Sequence, residues 1–135
     1  MASEFVIITL IVAIASIEAQ VPQQQTQGIY LGSLPNLSHG VSGEVYKLDD
    51  KTLLLRNLNY DGQAPDAYFW VGTSAKPGVT GSPIPDENGS LAPLKRYHNV
   101  DIVLRLPANK SLSKLKTFGL WCKAYSINFG HVKLN

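Results

Sequence analysis

Apolar and polar positions alternate with a period of two over several short stretches, the spacing that sends every other side chain to one face of a strand. In VDIVLRL, Val100, Ile102, Leu104 and Leu106 fall on one face, and Asp101 and Arg105 on the other. In VSGEVYK, Val41, Gly43 and Val45 alternate with Ser42, Glu44 and Tyr46; LDDK then turns into TLLLRNLNY, which predicts a hairpin over 41–60. AYFWVGT, at 67–73, has the aromatic and β-branched make-up of a pleated surface. A Gly- and Pro-rich excursion over 74–93 precludes regular structure for most of its length. TFGLWCKAYSI and HVKL complete the series. Beyond the N-terminus no stretch of helical length carries an i, i+3, i+4, i+7 apolar stripe. The pattern predicts an all-β fold, a single antiparallel β-sandwich or barrel-like domain.

The N-terminus reads differently. Phe5 to Ile17 is apolar apart from Thr9 and Ser16. At about 13 residues it is too short for the ~20-residue helix that spans a bilayer. It suits the apolar core of a secretory signal, with Ala19 before the cut, so 1–19 is expected to be removed. Residues 20–28, QVPQQQTQG, form a polar leader without periodicity, and 29–135 form the domain. No second apolar stretch is long enough to hold the mature chain in a membrane. Asn36-Leu37-Ser38, Asn88-Gly89-Ser90 and Asn109-Lys110-Ser111 are glycosylation acceptors in turn-like contexts, in keeping with a secreted, extracellular protein.

Charge narrows the partners. The chain holds 12 Lys and Arg against 10 Asp and Glu, and two of the acids, Glu4 and Glu18, lie in the expected signal. The mature chain is therefore mildly basic, with its cations scattered rather than clustered. That excludes a nucleic-acid footprint and permits only weak attraction to anionic matrix polymers.

Cys122 is the sole cysteine, so no intramolecular disulfide is available. Continued strand alternation puts Phe118, Leu120, Cys122 and Ala124 on one apolar, core-facing side and Trp121, Lys123 and Tyr125 on the other. Two readings follow: a small buried hydrophobe with an inert thiol, or a redox thiol or haem ligand. The sequence CKAYS lacks the C-x-x-C-H of covalent haem attachment, so haem would bind only through axial ligands, Cys122 or one of His39, His98 and His131. Tyr68 with Trp70, and Trp121 with Tyr125, share strand faces that can stack on sugar rings as a flat platform or pack away in the core. Asp61, Asp66, Asp86, Glu87 and Asp101 fall in or beside loops, the oxygen donors that calcium takes, but without EF-hand rhythm. No hydrolase elbow, zinc-protease or phosphate-loop motif is present, so a stand-alone enzyme is not expected.

SHGVSGEVY, YDGQAPDAYFWVG, IPDENG, LKRYHNVDIVLRLP and FGLWCKAYSINFGHVKL, in that order, resemble the DM-thirteen domain of animal extracellular proteins, Skeletor-type copies in particular. The resemblance covers about 29–134. It implies an all-β extracellular electron-transfer module acting in oxidative modification of cell-surface or matrix proteins. Its characteristic cysteine, here Cys122, would act as a bare thiol or hold a group such as haem. It also implies partners: a DOMON-containing redox domain on another polypeptide, or cuticular chitin.

Overall fold

Each alternating stretch becomes a strand in the computed structural model, which describes residues 28–135. The expected signal peptide, 1–19, and all of the leader but Gly28 lie outside the described residues. Eight strands follow: β1 (Ile29–Ser33), β2 (Ser42–Asp49), β3 (Thr52–Tyr60), β4 (Ala67–Gly72), β5 (Ser82–Ile84), β6 (Tyr97–Arg105), β7 (Thr117–Cys122) and β8 (Ile127–Lys133). They form two antiparallel sheets, ordered β1-β2-β3-β6 and β5-β4-β7-β8. Val45, Leu53, Leu55 and Leu104 of the first sheet meet Phe69, Val71, Phe118 and Leu120 of the second in one core. All eight are sealed from water. Each contributes about 1.5–3 kcal/mol by leaving solvent. A single 3-10 turn, Leu112–Lys114, is the only helical element among the described residues.

Three details differ from the sequence expectation. Ile29–Ser33 forms an edge strand, although its side chains are mostly exposed and carry little alternation. Val100 is 37% exposed on the edge strand β6, although it pairs with the fully buried Leu58. β7 ends at Cys122, and 123–126 form the turn into β8. Ala124 and Tyr125 therefore share no strand face with Cys122 or Trp121; Tyr125 is 66% exposed in the turn.

Within the 74–93 excursion β5 adds a short ladder to β4, and side chains organise the stretch that follows it. Asp86 accepts the N–H groups of Asn88 and Ser90, at 2.8 and 2.9 Å. Glu87 accepts Lys95 Nζ at 2.8 Å and the Tyr97 hydroxyl at 2.7 Å. Burial raises the Glu87 pKa, but these two donors outweigh it and hold the carboxyl below the ordinary 4.5. A depressed carboxylate stabilises the fold above its unfolded pKa, and the contribution disappears as the pH falls through the folded value. The stability gap between the unsubstituted chain and Glu87→Gln is thus expected to be full above the ordinary carboxylate range and to narrow as the pH falls below it, as followed by urea titration at each pH.

Candidate functional site

Three bulges at one end of the sandwich determine which side chains meet there. In β3, Leu53 and Leu55 face the core, so strict alternation would point Tyr60 outward with Leu54 and Arg56. Leu55 pairs with Ile102 but Leu58 with Val100, which places one extra residue in β3. Tyr60 then pairs with Tyr97, placing one extra residue in β6. Asn57 and Asn99 absorb the kinks in left-handed conformation, at φ 52° and 48°. Their N–H groups are taken by Asp101 Oδ1 and Asn59 Oδ1, at 2.8 and 3.0 Å. In β8, Gly130 pairs with Leu120 and Asn128 with Trp121, so Phe129 is the bulged residue. Re-aiming a side chain is what a bulge does. Here three rings, Tyr60, Tyr97 and Phe129, turn inward, each at most 4% exposed.

His39 lies over this cluster. It sits in the turn before β2 at φ 58°, a left-handed conformation that His adopts more readily than most side chains. Its carbonyl accepts the Asp61 N–H at 3.0 Å, and its Nδ1 lies 3.0 Å from both Asp61 carboxylate oxygens. An Nδ1–H donated to Asp61 leaves Nε2 as the ring's acceptor, without a partner among the described residues. The ring packs on Phe129, with centroids 4.5 Å apart, and presents an edge geometry to Tyr60 at 6.2 Å. Tyr60 in turn stacks on Phe129 at 6.2 Å. Gly62 permits the close approach of the next loop: at φ 72°, a Cβ there would stand 2.6 Å from the Arg96 backbone nitrogen. The outcome is a cleft of about 180 Å³ lined by His39, Tyr60, Asp61, Arg96 and His98 among others.

Cys122 shares the core cluster with two of the cleft's rings, Tyr60 and Tyr97. It is 1% exposed, a member of the main core, and directly opposite Ala67 on β4. The Tyr60 hydroxyl accepts the Ala64 N–H at 3.2 Å, tying the phenol to the segment that leads into Ala67. Burial raises the Tyr60 pKa most; the Ala64 N–H lowers it, and negative charge at Asp61 and at a Cys122 thiolate raises it further. Tyr68 is raised chiefly by its hydrogen bond to Asp66, with a smaller contribution from Cys122.

This packing does not fit haem at Cys122. An axial thiolate needs an open slot beside the sulfur, whereas Cys122 is closed in the core and none of the three principal clefts is lined by it. The His39 cleft is below the ~300–1,000 Å³ that small-molecule sites occupy.

The other expected site residues are dispersed. Tyr68, Trp70 and Trp121 lie on the outer side of the second sheet, away from Cys122. Trp70 and Trp121 stack on each other at 6.1 Å and are only 3% and 6% exposed. The loop after β4 covers them, with Trp70 Nε1 donating to Gly78 O at 2.9 Å. They are neither core residues nor an open sugar platform, and Trp121 does not flank the thiol. Asp66 accepts the Tyr68 hydroxyl at 2.6 Å, and Asp86 holds its own turn. His131 is bonded to Asn128 at 2.9 Å and His98 is exposed at the cleft rim. Among the described residues no three His, Cys, Asp or Glu side chains gather to hold a metal ion. Asn36, Asn88 and Asn109 are exposed and outside strands.

The stretches SHG, YDG, RYH, WC and NFG thus converge on one end of the fold. A family model described as Electron transfer DM13 matches residues 33–134. The chain belongs to the DM13 family. It is 45% identical over 109 residues to Protein Skeletor, isoforms B/C, of Drosophila melanogaster, covering 79% of this chain and 14% of that protein. Isoforms D/E match at 45% identity over 7% of their length. The chain therefore spans a small part of the curated relatives it matches. No solved structure matches it. The DM13 match contains His39, Tyr60, Asp61, Cys122 and Phe129. Tyr60 and Phe129 had escaped the sequence reading; the only signal was their place beside Asp61 and Gly130 in the motifs.

Proposed function

We propose that this DM13 chain is a secreted electron-transfer module acting in oxidative modification of matrix or cell-surface proteins, cuticle included, with Cys122 as its redox centre. One observation carries the reading: the only thiol is sealed in the core, in the same cluster as a tyrosine that borders a surface cleft. Thiol–disulfide exchange requires a thiolate to touch another sulfur, so burial disfavours it. Electron transfer through packed protein needs no such contact. The Cys122 S–H bond breaks, one electron passes to a metal-centred oxidant on a partner polypeptide, and the proton passes to solvent. A DOMON-type redox domain is a suitable partner. The apolar N-terminal run and the three exposed glycosylation acceptors support an extracellular setting.

The test is anaerobic treatment with hexachloroiridate(IV), then unfolding and counting of thiols. Loss of the Cys122 thiol, reversed by ascorbate added before unfolding, is expected. Full retention of the thiol under excess oxidant rejects the redox reading and leaves Cys122 a packing residue.

A further inference from the structure

We propose that Lys76, Lys116 and Lys133 form a docking surface for an anionic extracellular polysaccharide, at the opposite end of β7 from Cys122. The surface is independent of any redox role of that thiol. Charge is segregated along this chain. No Asp or Glu lies between Asp66 and Asp86 or after Asp101, and these stretches supply all four strands of the second sheet. The sequence scatters its cations, but the fold gathers three of them. Lys116 N–H donates to Gly72 O at 2.8 Å, and Leu134 N–H donates to Lys116 O at 3.0 Å. Thr117 pairs with Lys133. Lys116 and Lys133 thereby line one cleft of about 270 Å³ with Ala75 and Asn135, and Lys76 follows Ala75 in the loop. All three lysines are exposed. None joins an ion pair among the described residues, where Asp50, Asp61, Glu87 and Asp101 are taken by other cations.

His131 adds a neutral donor. It shares the outer face of β8 with Lys133 and lies over Gly119, where a Cβ would stand 2.8 Å from the His131 Cβ. Asn128 Oδ1 accepts the Gly130 N–H at 2.9 Å, so the amide Nδ2 donates to His131 Nδ1, also at 2.9 Å. The neutral ring then carries its proton on Nε2, facing a sugar hydroxyl or sulfate oxygen as a donor. Burial, then Lys76 and Lys133, hold its pKa below the ordinary 6.5, so the ring is neutral at neutral pH. The cleft is below the ~300 Å³ of a small-molecule site and suits one anionic substituent rather than a whole sugar. A repeating anion fits: one sulfate or carboxylate enters the cleft, and its neighbours along the polymer meet Lys76. Nucleic acid fits less well, because Trp70 and Trp121 on this face are covered by the loop and offer bases no stacking surface. The extracellular reading selects polysaccharide among polyanions.

Heparin is the probe, titrated against the chain at about 50 mM salt, where screening is modest. The triple variant Lys76→Gln, Lys116→Gln, Lys133→Gln is expected to weaken binding at least about 10-fold and to flatten its salt dependence. The control Arg96→Gln, Arg105→Gln, Lys123→Gln removes the same net charge from exposed positions elsewhere and is expected to weaken it less than about 3-fold. Melting temperatures verify folding; if the triple variant does not fold, Lys133→Gln alone decides, with an expected weakening of about 3-fold. Hyaluronan, titrated in parallel, tells carboxylate from sulfate recognition, and loss of either polymer in the triple variant supports the surface. No heparin or hyaluronan binding, or equal weakening in the two triple variants, overturns it. Tighter binding of a DNA duplex or of phosphatidylserine vesicles than of heparin overturns the polysaccharide assignment. None of these results bears on oxidation of Cys122, which the hexachloroiridate(IV) experiment tests separately.

Discussion

Phe129→Ala is expected to destabilise the domain by about 3–5 kcal/mol, as for other buried Phe→Ala changes. Its ring is 2% exposed, stacks on Tyr60 and supports His39, so its removal leaves a cavity that two aromatic neighbours cannot both fill. At roughly 4 °C or more per kcal/mol for a domain of this size, the melting temperature should fall by at least about 12 °C. Tyr125→Ala, in the exposed β7–β8 turn, is the control and should stay within about 0.5 kcal/mol. Thermal melts followed by near-ultraviolet circular dichroism compare the two. A Phe129→Ala loss below about 1 kcal/mol would mean that the bulge does not hold the ring as described.

The folded chain is expected to react with an aromatic disulfide reagent at least roughly 10³-fold more slowly than the chain in guanidinium. Cys122 is 1% exposed on a strand whose six residues are all buried, so the reagent reaches it only when the sheet opens. Core strands open with free energies near the global value, and about 5 kcal/mol, the low end for natural domains, already gives more than 10³. The time course of reagent release, native against unfolded, measures this. Half-times within a factor of ten of each other would place the sulfur at the surface and reopen thiol exchange as its chemistry.

Strand faces were legible in the sequence where alternation runs unbroken. Ile102 and Leu104, and Phe118, Leu120 and Cys122, point where the two-residue period says. The site was less legible because it is made where the period breaks. A bulge depends on how two strands pair, and nothing local to LRNLNY announces that Asn57 will be the kink and Tyr60 will turn inward. His39 and Asp61 stood out separately as chemistry-bearing residues, but the contact between them spans 22 positions and exists only once β2 and β3 have folded. The tryptophans failed in the opposite way. Their outer strand face is as alternation gives it, while their burial comes from a loop whose Gly and Pro content revealed no docking surface.

Protein-film voltammetry of the folded chain is the most direct measurement of whether electrons reach a sealed sulfur. The account predicts a reversible one-electron wave in the unsubstituted protein that vanishes in Cys122→Ala, at a melting temperature showing that the variant still folds. Superimposable voltammograms from the two proteins would contradict it.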